Sequence, residues 1–271
     1  MTVDPPTSSV AVDHDGSVLR LTLSRPEKRN AIDDEMMSTL IGSIDAAGRD
    51  ESVRVIVIDG EGDHFCSGAD VVARNAPGSS DKRPRVGSIQ RRLPAQANRL
   101  IPLIVNTQTP VVCVVQGWTA GIGLNLALAA DICVAASDTR FWAPFVGRGF
   151  TPDSGATWLL TRRIGEVRAR DMLLLGRVVS GSEAAEWNMI HRAVPTDGLA
   201  AAADEVIAAL AEGPTVALGL TKWLTHSAWS QPLEQHLRDE AFGMELSSRS
   251  EDFREGLAAF REKRDPQYRG R

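Results

Sequence analysis

An α/β core followed by a helical C-terminal region is the fold class that this 271-residue sequence predicts. Three observations carry the prediction. VRVIVIDG (53–60) and VVCVV (111–115) are unbroken apolar runs, the pattern of strands covered on both faces, as in a parallel sheet. The segments around them repeat apolar residues at helical spacing, so strand and helix alternate over the first 150 residues. From Gly155 onward the reading is almost entirely helix.

Each element has its own warrant. Residues 10–13 and 18–24 read as a hairpin around Asp15-Gly16, with Leu19, Leu21 and Leu23 alternating against polar neighbours. Ile32, Met36, Leu40 and Ile44 lie at helical spacing in IDDEMMSTLIGSIDAAG. Residues 72–100 are polar and punctuated by Gly and Pro, and are expected to be mobile. After VVCVV, Gly117, Gly121 and Gly123 open an apolar helix that runs into Asp131. The helical part begins with GATWLLTRRIG, VRARDMLLLG and SEAAEWNMI, and continues through an alanine-rich stretch from Leu199 to Leu210. Leu233, Leu237, Ala241 and Met244 then form one stripe, and Ser250 is placed to cap a last helix with Glu251 and Asp252 in its first turn. The chain shows no internal repeat.

Composition removes several function classes. Hydrophobic residues make up 43% and charged residues 24%, ordinary for a globular chain. A net charge of -5 and a pI near 5.6 argue against nucleic acid as a partner. The basic cluster Lys82, Arg83, Arg85, Arg91 and Arg92 reads as a solvated loop, with contact to a phosphorylated ligand as the sharper alternative. The N-terminus has no secretory apolar core, and the longest apolar run, Leu126 to Ala136, contains Asp131, so no membrane span is expected. Cys66, Cys113 and Cys133 lack metal-ligand spacing and read as buried free thiols of a reducing, cytoplasmic compartment. No metal site is expected.

Two glycine-containing loops, HFCSGAD (64–70) and GWTAGIGLN, follow the two apolar runs. In parallel sheets ligands sit at the carboxyl ends of strands, so both loops are able to face one cleft. Neither fits a phosphate-binding pattern: the second lacks the Lys-Ser/Thr of a P-loop and the spacing of a dinucleotide fingerprint. Taken singly, each is equally a tight turn that needs glycine.

Taken together with RPEKRNAID (25–33) and GFTPDSGATWLL (149–160), these loops resemble the crotonase, or enoyl-CoA hydratase/isomerase, superfamily in order and spacing. The resemblance runs through LLLGRVVSGSEAAEWNMIHRAV to REGLAAFREKRDPQ, nearly the whole chain. It implies a crotonase-like spiral of ββα units over residues 1–197 and a helical, trimer-forming region over 198–271, assembled as a homotrimer or a dimer of trimers. It also implies an acyl-CoA thioester as substrate, with no cofactor beyond the CoA moiety that the substrate carries.

The implied anion is a thioester enolate held by the N–H groups of Ala69 and Ile122. A helix N-terminus aimed at a developing oxyanion makes physical sense of this, because each such donor contributes roughly 3 kcal/mol. Enoyl-CoA hydratases carry two glutamates that activate water; they would fall at Asn125 and Phe145, and neither residue transfers a proton near neutral pH. Asp153 remains. It reads either as a helix cap or, by resemblance to the phenylacetate-pathway isomerases of ring-epoxide CoA thioesters, as the proton-transferring base. Trp118, Asn125, Phe141, Trp142 and Phe145 are the implied substrate pocket, with core packing as the plain alternative for the aromatics. Lys28, Ala31, Ser67, Ala69 and Asp70, with Phe260 and Lys263, are the implied CoA contacts, the last two reaching from a neighbouring subunit.

Two other readings stay open. An aspartate at position 153 serves as a nucleophile in related thioester hydrolases and dehalogenases, but those use a histidine from the middle region and none occurs between His64 and His191. A weakly catalytic CoA-binding or RNA-binding member is the alternative outside enzymes.

Overall fold

The computed structural model describes residues 9–70 and 85–271, and elements are numbered over these residues. Residues 72–84 of the segment expected to be mobile, with Lys82 and Arg83, lie outside the described residues. The rest of that segment is ordered as helix α2 (Ser88–Arg92), a 3₁₀ turn at Leu93–Ala95 and the start of helix α3 (Ala97–Asn106). Arg85, Arg91 and Arg92 stand exposed there.

The larger sheet contains β1 (Val10–Asp15), β2 (Val18–Leu23), β3 (Val55–Gly60), β4 (Val111–Val115), β6 (Ile132–Ala136) and β9 (Arg192–Val194), in that spatial order. Strands β1 and β2 pair antiparallel and the others are parallel. The apolar runs are continuous because both faces are covered. Ile56, Ile58, Cys113 and Cys133 face the main core, while Val55, Val57, Val112 and Val134 face Leu199, Ala203 and Ile207 of helix α7 (Leu199–Ala211). Each such side chain, fully buried, contributes about 1.5–3 kcal/mol.

Helix α1 (Asp34–Ala47) starts where Asp33 accepts a hydrogen bond from Met36 N, and buries Met36, Leu40 and Ile44. Ile32 lies just before it, because its backbone pairs with the loop at Ala69 instead. A second, three-stranded sheet holds β5 (Trp118–Ala120), β7 (Arg140–Trp142) and β8 (Val179–Ser180). Consecutive units therefore give one strand to each sheet and then a helix: β4, β5 and α4 (Ile122–Ala129), then β6, β7 and α5 (Ala156–Leu174). This is the crotonase-like spiral.

The apolar helix opened by the glycines runs into Asp131 as expected, since α4 ends at Ala129 and strand β6 follows. Asp131 marks the break, and its carboxylate accepts from Val111 N at 2.7 Å. One expectation needs correction: the chain after Gly155 is not almost all helix, since β8 and β9 flank the capped helix α6 (Gly181–Glu186). Strands of two and three residues are too short to show a period of two. Within α5 the chain breaks at Gly165, whose φ of 71° and ψ of 167° are not helical.

Helices α8 (Thr215–Ser227), α9 (Leu233–Ser247) and α10 (Glu251–Glu262) complete the chain. Ser250 caps α10 by accepting from Phe253 N. No helix of the described residues is long and apolar enough to cross a membrane.

Candidate active site

The two glycine loops are clasped together by main-chain bonds. Cys66 N donates to Trp118 O at 3.0 Å and Ala120 N to Cys66 O at 2.8 Å, a parallel bridge between the first loop and β5. Ile32 N donates to Gly68 O and Asp70 N to Ile32 O, at 2.8 and 2.9 Å. These bonds pass over Ala69, and Ile122 is the first residue of α4. Among the described residues neither the Ala69 nor the Ile122 N–H has an acceptor. For Ile122 this follows from its place in the first turn, where no carbonyl precedes it in the helix. The helix dipole adds to the donor there.

Glycine makes the approach possible. Gly121 adopts φ 55° and ψ −122°, closed to side chains, and a Cβ on it would sit 3.5 Å from Gly68 Cα. At Gly123 a Cβ would meet Cys66 Cβ at 2.6 Å, so α4 packs directly on the first loop. Burial pushes the Cys66 thiol up to about 12, which keeps it uncharged beside these donors.

The turn before α5 carries Asp153. Ser154 and Gly155 are both left-handed, with φ of 53° and 82°, and Gly155 occupies the N-cap with no side-chain cap bond. Asp153 therefore does not cap the helix with its carboxylate. Its main-chain oxygen accepts from Ala156 N at 3.0 Å and from Asn125 Nδ2 at 3.2 Å. The carboxylate accepts from Ser154 Oγ at 2.8 Å. Asp153 is half-buried.

The remaining pocket candidates divide. Asn125 is fully buried one turn into α4. Phe141 and Phe145 belong to the main core, and Phe145 meets Phe150 edge-on at 5.7 Å. Trp142 donates from Nε1 to Gly176 O and meets Trp118 at a tilt of 53°, their ring centroids 5.7 Å apart. Trp118 also lines an open cavity of about 820 Å³ with Arg20, Asp59, His64 and Arg140, a set that includes neither Asp153 nor Asn125.

The segment around Lys28 forms one patch with the first loop. Asp70, 6% exposed, accepts from Arg25 at 3.0 Å and lies 3.5 Å from Lys28 Nζ. Arg25 also pairs with Asp33 and donates to Ala31 O, and Ser67 Oγ donates to Lys28 O at 3.2 Å. Arg25 and Asn30 escaped the sequence reading. Asn30, fully buried, accepts from Arg25 N and donates to Glu61 O and His64 O, tying the patch to the end of β3. Its left-handed φ of 54°, which Asn tolerates better than most residues, was the available signal in RPEKRNAID. Phe260 is 83% exposed, and α10 is tied to its own tail, where Asp252 accepts from Arg269 N and Gly270 N. Among the described residues of one chain nothing brings Phe260 or Lys263 to the patch.

The family described as enoyl-CoA hydratase/isomerase matches residues 13–271. The chain belongs to the enoyl-CoA hydratase/isomerase family. It is 38% identical over 254 residues to the 1,2-epoxyphenylacetyl-CoA isomerase of Escherichia coli K12, covering 94% of this chain and 95% of that one. It is 30% identical over 261 residues to the trans-2-decenoyl-[acyl-carrier-protein] isomerase of Streptococcus mutans, covering 95% and 96%. Among solved structures, the enoyl-CoA hydratase of Bacillus anthracis superposes with a TM-score of 0.89 at 26% identity, over 97% of this chain and all of that one. Relatives named for isomerisation and for hydration thus share this enoyl-CoA hydratase/isomerase fold, and side chains must decide between the two. Among its described residues no group of three His, Cys, Asp or Glu side chains is arranged to hold a metal.

Proposed function

We propose that this enzyme isomerises acyl-CoA thioesters by a proton shift through one carboxylate, Asp153, with the enolate held by the Ala69 and Ile122 amides. The observation that carries the reading is the turn at 153–155: Gly155 takes the cap position, so the Asp153 carboxylate is not consumed by its helix. The isomerisation for which the Escherichia coli relative is named supports the same choice. Asn125 and Phe145 stand where hydratases carry glutamates, and a buried amide and a phenyl ring do not activate water.

On a 3-enoyl-CoA the Asp153 carboxylate takes a proton from C2. The C–H electron pair moves into the thioester, whose oxygen becomes the enolate between the two free amides. The same carboxylic acid then returns the proton at C4, giving the 2-enoyl product and the starting carboxylate. Lys28, Ala31, Ser67 and Asp70 would seat the CoA moiety, which is the sole cofactor-like group required. Phe260 and Lys263 would join from a second copy in a homotrimer or dimer of trimers. The rival readings, thioester hydrolysis through Asp153 and CoA binding without catalysis, keep the same site but give it different chemistry.

Asp153→Asn tests the proposal with a 3-enoyl-CoA substrate in heavy water. The expected loss in kcat is about 100-fold or more, the usual size of a general-base contribution, with exchange of the C2 proton abolished. Full turnover in Asp153→Asn would end the mechanism. Crotonyl-CoA should not be hydrated by the wild type, and hydration faster than about 10 per second would restore the hydratase reading.

A further inference from the structure

We infer that Asn125 is a positioning residue, which locks the Asp153 turn to the helix that presents the Ile122 amide. The inference rests on the proposed role of Asp153. Asn125 lies three residues beyond Ile122 on α4, and its own N–H is tied to Gly121 O at 3.1 Å. Its Nδ2 donates to the main-chain oxygen of Asp153 at 3.2 Å, across 28 residues of sequence. Among the described residues this is the one hydrogen bond between α4 and the turn at 151–155. The helix that follows packs on α4 through Ala156, Leu159 and Leu160, but the turn itself makes no other hydrogen bond to α4 among these residues. It is left-handed at Ser154 and Gly155, and its helix has no side-chain cap.

The other half of the carboxamide gains no hydrogen bond within the chain. Asn125 is 0% exposed, and Oδ1 is buried without a hydrogen-bond partner. Every other residue of α4 is apolar or glycine and is buried. An orphaned acceptor in such surroundings costs more than one neutral hydrogen bond returns, so an apolar side chain would serve the fold as well or better. What an apolar side chain cannot do is set the distance between the base and the oxyanion amide. A misplacement of about 1 Å between such groups lowers a rate by roughly 100-fold.

The test uses Asn125→Leu and Asn125→Ala, each alone and combined with Asp153→Asn. Turnover of a 3-enoyl-CoA, affinity for the unreactive butyryl-CoA, and Tm are measured. With Asn125→Leu, kcat should fall about 10-fold or more, butyryl-CoA affinity should stay within about threefold, and Tm should not fall. Asn125→Ala, which avoids the larger side chain, should show the same split between kcat and affinity. Each double variant should be no slower than Asp153→Asn alone, because a positioner has nothing left to position once the base is gone. A kcat within twofold of wild type in both single variants overturns the inference. So does a parallel fall of kcat, affinity and Tm, or additive losses in the double variants. If Asp153→Asn itself keeps wild-type turnover, the base assignment falls and this role falls with it. If Asp153→Asn is slow while the Asn125 variants are fast, the base stands and only the positioning role is lost.

Discussion

In β3 and β4 consecutive valines and isoleucines are buried to both sides. In α8, α9 and α10, by contrast, Trp223, Leu233, Leu237, Phe242, Met244 and Leu257 stand in solvent. The buried residue of α8 is Gly219 and that of α9 is Gly243. Besides the contact of His226 with Trp158, what fastens α8 to the sheet domain is polar. Lys222 Nζ meets Asp131 at 2.7 Å, Ile104 O at 2.9 Å and Thr109 O at 3.2 Å. Arg54 donates to Thr215 Oγ1 at 2.9 Å and to the Gly213 carbonyl. The spiral is thus stabilised by its own burial, and the C-terminal helices by a few directed anchors. The two regions should answer mutation differently.

The largest expected effect is at Lys222. Burial pushes Lys222 down and Asp131 up from their ordinary values, against their mutual attraction, so the pair remains charged only because both members are present. Lys222→Met leaves the Asp131 carboxylate without its cation and two carbonyls without the ammonium donor, and should cost about 3 kcal/mol in urea unfolding. Pairing it with Asp131→Asn, which removes the charge and leaves an oxygen for Val111 N, should recover part of that loss. A cost below about 1 kcal/mol for Lys222→Met would show that the helices are held by packing after all.

Next in size is Gly123→Ala, inside the spiral. The added methyl meets Cys66 at 2.6–2.7 Å, on backbone as well as side chain, and neither can move without shifting the loop that ends at Ala69. A loss of about 2 kcal/mol is expected from overpacking, with a further drop in kcat because the two amides separate. Wild-type stability and turnover in Gly123→Ala would mean that the loops are not in contact as described.

The same contrast explains what was legible in the sequence. VRVIVI and VVCVV could be read because burial on both faces leaves an unbroken apolar run, whatever the partners are. The two glycine loops were legible through Gly121 and Gly123, where the backbone excludes side chains. Strands β5, β7, β8 and β9, of two or three residues, left no periodic trace. Asp153 was ambiguous between cap and base because PDSG permits either, and only the left-handed Ser154 and Gly155 move the cap past it. Asn125 was seen as a pocket residue, yet its partner lies on another element 28 residues away, beyond any local pattern. Arg25 carries no local sequence signal, because its partners Asp70 and Asp33 are fixed by the fold.

A smaller effect is expected where the two regions meet. His191 lines a cavity of about 540 Å³ together with Asp131, Arg163, Lys222, His226 and Trp229. Its Nδ1 accepts from Cys133 N at 3.1 Å, and burial, with Arg163 beside it, holds its pKa down from 6.5 to about 4. Between those two values the unfolded chain binds the proton and the folded one does not, so stability falls as pH drops from 6.5 toward 4 and changes no further below. The residue as a whole is exposed and solvent screens the shift, so the loss should be about 1 kcal/mol at most, well short of the full shift. His191→Gln keeps an acceptor for Cys133 N without the titration. Its Tm should track the wild type above pH 7 and decline less below pH 6. Parallel curves would assign the acid sensitivity to carboxylates instead.

The smallest change in the stability of a single chain should come from the exposed stripe of α9. Leu237 and Met244 are 52% and 59% exposed, so replacing both by Glu removes little burial and should alter unfolding by no more than about 0.5 kcal/mol per site in a dissociated chain. An apolar stripe of this extent, continued by Leu257 and Phe260 on α10, is poorly explained by one chain alone. We propose that other copies of the chain cover it, the arrangement that would also carry Phe260 and Lys263 to a neighbour's CoA patch. Light scattering should then give a multiple of the 29.2 kDa chain for the wild type and a lower mass for Leu237→Glu with Met244→Glu, at unchanged helical circular dichroism. The apparent Tm of the wild type should rise with protein concentration, and that of the variant should not. A wild type that scatters as a single chain would leave the stripe without that cover, and would place the whole CoA patch within the residues that one chain brings together at Arg25, Lys28, Ser67 and Asp70.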